Sequence, residues 1–297
     1  FTNYTEEYNF YDIRLNSTMG LTDDDLKAVR AVDGVIDAEG CRASDFLYNT
    51  EEEDNLIMLV QSIPESVNRV NLRYGRMPEK GNECLGDPEM YTKDDIGRVI
   101  KLSEDNSEET FNTFAYDEYT IVGLCDSVLY VNYERGSSTL GNGSVKGYIY
   151  VLPEGFSLDC YTDIYVTVDA EGELYSDEYE KAIEKYKKSF EPLMEERAEL
   201  RYKELIDSAL QQLEEAKEKY SDGYTKYEQG REEYEKGYEE FMAQKRDAEK
   251  KLAEAEEQLR QAEAMAKPGE LKKKQTELDN ARKQLDDGMA EYERGAA

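Results

Sequence analysis

The chain has 297 residues, of which 39% are hydrophobic, so it is long enough for two domains if the apolar residues are concentrated in one of them. A formal net charge of -31 at pH 7 argues against a nucleic-acid partner, because a polyanion would be repelled and no Lys/Arg patch reverses the sign locally. The chain has no histidine, which excludes Ser-His-Asp and Cys-His catalysis, zinc ligation by imidazole and histidine pH switching.

The apolar runs of the sequence are short. The longest are residues 56–60 and 148–152, far below the roughly 20 residues of a membrane span, so we expect the chain as given to be soluble. The chain begins at Phe1 rather than Met, and it shows no signal-peptide pattern. This start suggests an excised fragment, with targeting or membrane segments upstream.

Short strands broken by polar turns make up the first half of the chain. Residues 9–17 alternate as a strand, and Thr22 with Asp25 forms the capping signature of a helix over residues 23–32. Further strands are expected at residues 35–47, 56–63, 83–86, 99–102, 119–125, 128–132, 147–152 and 161–168. The opening order of strand, helix, strand and strand favours an α+β fold with the helix on one face of the sheet.

Polar segments separate these strands. Residues 103–110 and 135–143 are acidic or Gly/Ser-rich and predict exposed loops. The acidic cluster at residues 23–25 invites a calcium site or a catalytic carboxylate pair as an interpretation. It lacks the spacing, central glycine and terminal glutamate of a calcium loop, so solvated surface is the better interpretation. The sequence therefore predicts no metal, no cofactor and no catalytic residue.

The four cysteines are single and widely spaced, at Cys41, Cys84, Cys125 and Cys160, so the chain has no CxxC metal or redox motif. We expect buried thiols. One or two disulfides are the alternative if the chain is extracellular, and the sequence does not select among the three possible pairings.

Between residues 72 and 125 a set of short motifs appears in order. Leu72-Arg73-Tyr74-Gly75-Arg76-Met77-Pro78 is followed by Gly81-Asn82-Glu83-Cys84-Leu85, then by an Ile-Gly turn at Gly97 and by Tyr119-Thr120-Ile121-Val122-Gly123-Leu124. This set resembles the extracytoplasmic domain of FtsX-like ABC transporter permeases of the MacB type. The opening residues 9–22 are similar to the segment that leaves the first membrane helix in the Gram-positive branch of that family.

The resemblance covers most of residues 9–170, and it implies a MacB-like mixed-sheet head over residues 1–175. The residues that match the family motifs are Gly75, Arg76, Pro78, Glu83, Gly97 and Gly123. They shape turns and strand ends, because glycine adopts a positive φ and proline ends an extended segment; none of them is catalytic. The resemblance also implies a cytoplasmic ATP-binding subunit as a partner, reached through membrane helices outside this chain. The long helical region departs from the MacB pattern, so the tripartite efflux partners of MacB are not carried over.

From Ser176 onward Glu, Lys, Ala, Gln and Tyr dominate, and Ser176 is a good N-cap, so a long helix is expected over residues 176–266. At about 1.5 Å per residue this ascending arm would reach roughly 135 Å if straight. Pro192 is expected to kink it or to begin a second helix. The interruption at 267–269 and a descending arm at 270–297 complete a predicted coiled-coil hairpin, the second domain.

Small and large residues alternate at 4,3 spacing along the ascending arm, a pattern we name the Gly/Tyr stripe. Its members are Ala209, Leu213, Ala216, Tyr220, Gly223, Tyr227, Gly230, Tyr234, Gly237 and Phe241. Glycine costs about 1 kcal/mol per helix position relative to alanine, so its repetition at one seam position predicts close approach of a partner helix. An isolated solvated helix would not keep its tyrosines in phase with its glycines.

In the descending arm the seam resumes at Leu278 and Leu285. Antiparallel pairing around the predicted tip makes facing residue numbers add up to about 537, which places Leu278 near Leu259 and Leu285 near Leu252. This arm covers only the distal part of the ascending arm, so the Gly/Tyr stripe lacks an intrachain partner. We expect the descending helix to continue along the stripe in an intact protein, and the fragment to associate with a second copy.

Two classes of function fit these features. The first is a non-catalytic extracellular domain of an ABC transporter permease, at the outer face of the cell membrane. Such a domain couples cytoplasmic ATP hydrolysis to export or mechanotransmission through a projecting coiled coil. The coiled coil meets an external protein or envelope ligand. The second is a secreted or surface-anchored coiled-coil adhesin or spacer with an α+β head. The ordered motifs favour the first; a hydrolase with two carboxylates is a distant third, because no spacing marks such a pair.

Overall fold

The computed structural model describes residues 2–130, 135–172, 174, 176–265 and 268–295. Over these residues the chain has the expected α+β class, with a mixed-sheet part followed by two long helices. It divides into two compact units, Phe1–Ile206 and Asp207–Ala297. No helix in the described ranges combines the length and the apolar character needed to cross a membrane.

The elements follow the chain in a strand-rich order. In the described residues the strands are β1 (Ile13–Leu21), β2 (Val35–Cys41), β3 (Ala43–Tyr48), β4 (Leu56–Ser62), β5 (Asn71–Gly75), β6 (Glu83–Gly86), β7 (Val99–Lys101), β8 (Glu118–Asp126), β9 (Val145–Val151) and β10 (Tyr161–Val168). The helices are α1 (Thr2–Glu7), α2 (Asp23–Arg30), α3 (Glu108–Thr113), α4 (Asp177–Ala264) and α5 (Pro268–Gly295).

Two sheets form the first unit. The smaller has the order β1-β10-β2 and is antiparallel, with Ile13 paired to Val166 and Gly40 to Ile164. The larger is mixed and has the order β3-β4-β9-β6-β8-β5, with β7 also paired to β8. Its parallel contacts are β4 with β9 and β6 with β8. The central strands β4, β6 and β9 are almost entirely buried, as strands covered on both faces require.

Most of the predicted strands agree with the structure, and the helix predicted over residues 23–32 is α2. The capping box of α2 is present: the Thr22 side chain accepts from the backbone N–H of Asp25, and the Asp25 carboxylate accepts from the backbone N–H of Thr22. The expected strand at residues 35–47 is instead two strands, β2 and β3, in different sheets. The prediction of a strand at 128–132 is wrong for residues 128–130, and residues 131–132 lie outside the described residues.

Three of the named elements, α1, β5 and α3, were not expected from the sequence. β5 has exposed side chains at four of its five positions and therefore shows no apolar alternation. α3 begins inside the segment 103–110, which was predicted to be an exposed loop, and it extends beyond that segment. Ser107 accepts a hydrogen bond from the backbone N–H of Thr110, as a helix cap does.

The first part of α4 belongs to the first unit, so the predicted boundary at residue 175 differs from the compact unit, which extends to Ile206. Ile183 and Phe190 are buried in the core cluster that contains Val29 of α2 and Val166 of β10. Arg197 Nε also donates to Asp25 Oδ1 at 2.5 Å. These contacts lie more than one helical turn past residue 175, which is why composition alone put the boundary too early.

Further hydrogen bonds attach the same segment to the sheet. Tyr179 donates its hydroxyl to Asp12 Oδ1 at 2.6 Å, and Arg201 Nε donates to the Met19 carbonyl oxygen at 3.3 Å. Pro192 lies inside α4, which is continuous through it, so no second helix begins at this residue. Packing against the sheet holds this stretch helical despite the lost backbone hydrogen bond.

All four cysteines are free thiols. Cys41, Cys84 and Cys125 are buried, and Cys160 is half-buried. Burial raises the pKa of the Cys41 thiol to about 12 and also raises the pKa values of Cys84 and Cys125. Cys84 and Cys125 belong to different core clusters. The expected buried thiols are therefore found at three of the four positions.

We expect Cys160 alone to react rapidly with Ellman's reagent in the native chain, because the thiolate is the nucleophile and burial suppresses it at the other three cysteines. In denaturant all four thiols should react, and a Cys160→Ser variant should lose the fast phase and nothing else. Fewer than four reactive thiols in denaturant without reductant would show that a disulfide forms instead.

Candidate functional site

The family-motif residues, which span 48 positions from Gly75 to Gly123, meet around β8. Gly75 and Gly123 are paired across β5 and β8. Gly75 has a φ of 79°, and a Cβ there would overlap the Val122 carbonyl oxygen. A Cβ at Gly123 would lie 2.6 Å from the Arg76 carbonyl oxygen and 2.8 Å from that of Tyr74. Both glycines are therefore required by close approach of the two strands.

An ion pair closes the same motif. Arg76 donates from Nη2 to Glu83 Oε1 at 2.7 Å and from Nη1 to Glu83 Oε2 at 2.8 Å, while the backbone N–H of Glu79 donates to Glu83 Oε2 at 2.8 Å. Pro78 is buried in the turn between them. This bidentate geometry fixes the loop from β5 to β6.

Gly97 shapes the neighbouring turn. It has a φ of 99°, and its N–H donates to the Ile121 carbonyl oxygen at 2.8 Å, on β8. A side chain here would meet no described atom within 4 Å, so the backbone conformation and not space selects glycine. Gly75, Gly97 and Gly123 thus all lie where β5 and β7 attach to β8.

The Arg76 hydrogen bonds, and after them the Glu79 backbone N–H, lower the pKa of Glu83 from its ordinary 4.5 to about 2. A carboxyl whose folded pKa is lowered stabilises the fold fully above its unfolded pKa, and this contribution is lost as the pH falls from about 4.5 to about 2. We expect Glu83→Gln to lower the unfolding midpoint at pH 7 and to reduce its decline across that acid range. Chemical denaturation at a series of pH values measures both effects, and Glu79→Gln is the control because Glu79 contributes its backbone N–H. An unchanged acid decline in Glu83→Gln would refute the assignment.

A buried ion pair next to this cluster was not expected from the sequence. Arg135 Nε donates to Asp87 Oδ2 at 2.6 Å and Nη2 to Oδ1 at 3.0 Å. The side chains are 4% and 1% exposed. The guanidinium lies 5.4 Å from the ring centre of Tyr148. Arg135 was placed in an exposed loop, and nothing in its neighbours signals a partner 48 positions away.

No group of three or more acidic or thiol side chains is placed to hold a metal ion anywhere in the described ranges. The carboxylates at residues 23–25 serve other roles there. Asp25 caps α2 and contacts Arg197, and Asp24 pairs with Lys27 at 2.8 Å.

In the second unit the Gly/Tyr stripe is exposed from Ala209 to Gly237, and Phe241 at its end is half-buried. The tyrosines Tyr220, Tyr227 and Tyr234 are 59–75% exposed. A Cβ added at any of the three stripe glycines meets no described atom within 4 Å. Among the described residues, the structure therefore brings no other segment of the chain against the three stripe glycines.

The remaining predicted interface residues lie where α4 and α5 meet. Leu278 is buried, and Leu252, Leu259 and Leu285 are half-buried. Two hydrogen bonds join the helices, Lys274 to Gln258 and Arg282 to Glu256 at 3.1 Å. The residue numbers of these two pairs add up to 532 and 538, on either side of the predicted sum of about 537.

No protein-family model matches the sequence, and no curated protein matches it. Solved structures similar to the chain include the extracellular domain of the noncanonic ABC-type transporter YknZ from Gram-positive bacteria, with 14% identity and a TM-score of 0.34 over 56% of this chain and 80% of that one. They also include the periplasmic region of MacB from Actinobacillus actinomycetemcomitans, with 8% identity and a TM-score of 0.32 over 59% of this chain and 75% of that one. Likeness at this level concerns the fold alone.

Proposed function

We propose that this chain is a non-catalytic extracellular domain of an FtsX-like ABC transporter permease. The observation that carries the proposal is the cluster around β8. Motif residues that match the family in order along the sequence, Gly75, Arg76, Glu83, Gly97 and Gly123, form one connected structure. Each has a specific structural reason to be the residue it is, and this supports the resemblance.

In this proposal the chain transmits movement of the permease and does not catalyse a reaction. The residue types left by the absence of histidine are engaged structurally: Glu83 and Asp87 bind arginines, and three of the four thiols are buried with raised pKa values. A cytoplasmic ATP-binding subunit supplies the energy. The helices of the second unit meet an external protein or envelope ligand, and movement of the permease is passed to it as export or as a mechanical signal.

The test follows the exposed surface of the second unit in cells that carry the intact gene. A Cys160→Ser/Thr225→Cys variant places a labelled thiol on an exposed position of α4. We expect a membrane-impermeant maleimide to label it in intact cells, and an ATP-binding subunit to co-purify with the tagged protein in detergent. Cys160→Ser alone is the labelling control.

Labelling that appears only after lysis would overturn the extracellular placement. Surface labelling without any co-purified ATP-binding subunit would overturn the permease assignment and favour the adhesin or spacer instead. Robust hydrolytic turnover by the purified chain, abolished by one carboxylate substitution, would contradict the non-catalytic role.

A further inference from the structure

The two hydrogen bonds that join α4 and α5 limit which side chains can face each other across this seam. In antiparallel helices with heptad repeats, positions a of one helix face positions d of the other. Two such registers, with residue numbers adding up to about 533 or 540, are closest to the hydrogen bonds that join α4 and α5. In either of these two registers Leu278 lies opposite an alanine, Ala255 or Ala262, whereas counting from the tip places it near Leu259. In these registers large side chains face small ones, and Leu278 and Ala262 are both buried, at 4% and 7% exposed.

The Gly/Tyr stripe has the same alternation along α4, large at a and small at d, and a phase slip of four residues after Phe241 separates it from this seam. It is also complementary to itself when one copy is reversed. With facing residue numbers adding up to 450, the pairs among the exposed stripe residues are Leu213 with Gly237, Ala216 with Tyr234, Tyr220 with Gly230 and Gly223 with Tyr227. A parallel partner in register would instead set glycine against glycine and tyrosine against tyrosine, leaving gaps between crowded layers.

We propose that the Gly/Tyr stripe binds the same stripe of a second copy of this chain, antiparallel and two-fold symmetric about a point near Thr225. The exposed tyrosine rings then cover the open glycines of the partner, and the glycines let the helices approach closely. The surface is self-complementary, as a two-fold interface requires. This association does not depend on the chain being part of a transporter.

Side chains next to the stripe fit the same arrangement. Tyr224, which is 56% exposed, lies close to the two-fold axis and meets its own copy. Lys219 faces Glu233 of the other copy. Lys217 faces Arg231, but each is already paired on its own helix, with Glu214 and Glu228.

Charge opposes the association over longer range. Residues 209–241 carry ten acidic and five basic side chains, a net charge of -5 per copy. Salt screens this repulsion, so association through apolar layers strengthens as ionic strength rises, whereas association through ion pairs would weaken.

Sedimentation of the full chain across concentration and salt measures the association. We expect a monomer–dimer equilibrium that shifts toward dimer at higher salt. Gly223→Leu/Gly230→Leu should raise the dimer dissociation constant at least about tenfold, because the added side chains overlap Tyr227 and Tyr220 of the other copy. Thr225→Leu, on the opposite face of the same turns, is the matched control and should change it little. Circular dichroism verifies that both variants stay helical.

Spin labels measure the orientation. In a Cys160→Ser background, labels at Thr225→Cys should be side by side, about 20–30 Å apart, whereas labels at Gln211→Cys should be separated by about 42 Å along the axis. A parallel dimer gives short distances for both and would overturn the proposal. A chain that is monomeric at every concentration and salt, or a Thr225→Leu effect as large as that of the glycine variants, would overturn it equally.

Discussion

Asp87→Asn is expected to destabilise the first unit by about 3–5 kcal/mol, one of the largest single-residue effects in the chain. The substitution removes the charge of Asp87 from beside the buried guanidinium of Arg135. The two side chains are 1% and 4% exposed, and their two hydrogen bonds of 2.6 and 3.0 Å satisfy the charges in place of water. Removing one partner of such a pair costs more than the pair contributes, because the remaining charge stays buried.

Hydrogen exchange of backbone amides in β6 and β9 measures this loss, since those strands carry Asp87 at one end and Tyr148 beside the guanidinium. Arg73→Met is the matched control. Arg73 pairs with Asp126 at 2.6 Å on the surface, where the side chains are 43% and 25% exposed, and exposed pairs contribute less than about 1 kcal/mol.

A second variant separates burial of charge from loss of packing. Asp87→Leu/Arg135→Met removes both charges and should recover much of the stability that Asp87→Asn loses. Equal destabilisation by Asp87→Asn and Arg73→Met would show that the buried pair is not the feature that holds this part of the unit together.

The elements that the sequence predicted are those with a local signal. Thr22 and Asp25 are three residues apart and form a capping box by themselves, and the residues of β10 are apolar enough to be recognised without their neighbours. The split of residues 35–47 into β2 and β3 has no comparable signal. Where the chain passes from one sheet to the other, the backbone N–H of Arg42 donates to Ser62 Oγ, a contact 20 positions away along the chain.

The long-range features could be predicted from the sequence only in part. Gly75 and Gly123 were singled out by resemblance, but their pairing across two strands is a property of the sheet register. Arg135 and Asp87 are separated by 48 positions, and charged residues are usually exposed, so sequence reasoning placed Arg135 in a loop. The Gly/Tyr stripe was the opposite case, because its heptad repeat is visible without any structure.

The boundary of the first unit leads to the other large effect. A fragment of residues 1–175 lacks the start of α4, whose Ile183 and Phe190 are 7% and 2% exposed in the core of the smaller sheet. We expect this fragment to lose cooperative thermal unfolding or to unfold at much lower temperature, whereas residues 1–206 should unfold cooperatively like the same unit in the full chain.

Phe190→Ala in the full chain tests the same contact without truncation, and we expect it to cost about 3–5 kcal/mol because the side chain leaves a cavity between α4 and the sheet. Leu200→Ala is its control on the same helix, since Leu200 is 43% exposed and little is buried by it. Urea denaturation measures the loss of stability in each variant, and hydrogen exchange of the backbone amides in β1 and β10 then shows whether the loss lies in the smaller sheet. If residues 1–175 prove as stable as residues 1–206, and Phe190→Ala costs no more than Leu200→Ala, the start of α4 is not part of the first unit's core and the earlier boundary is correct.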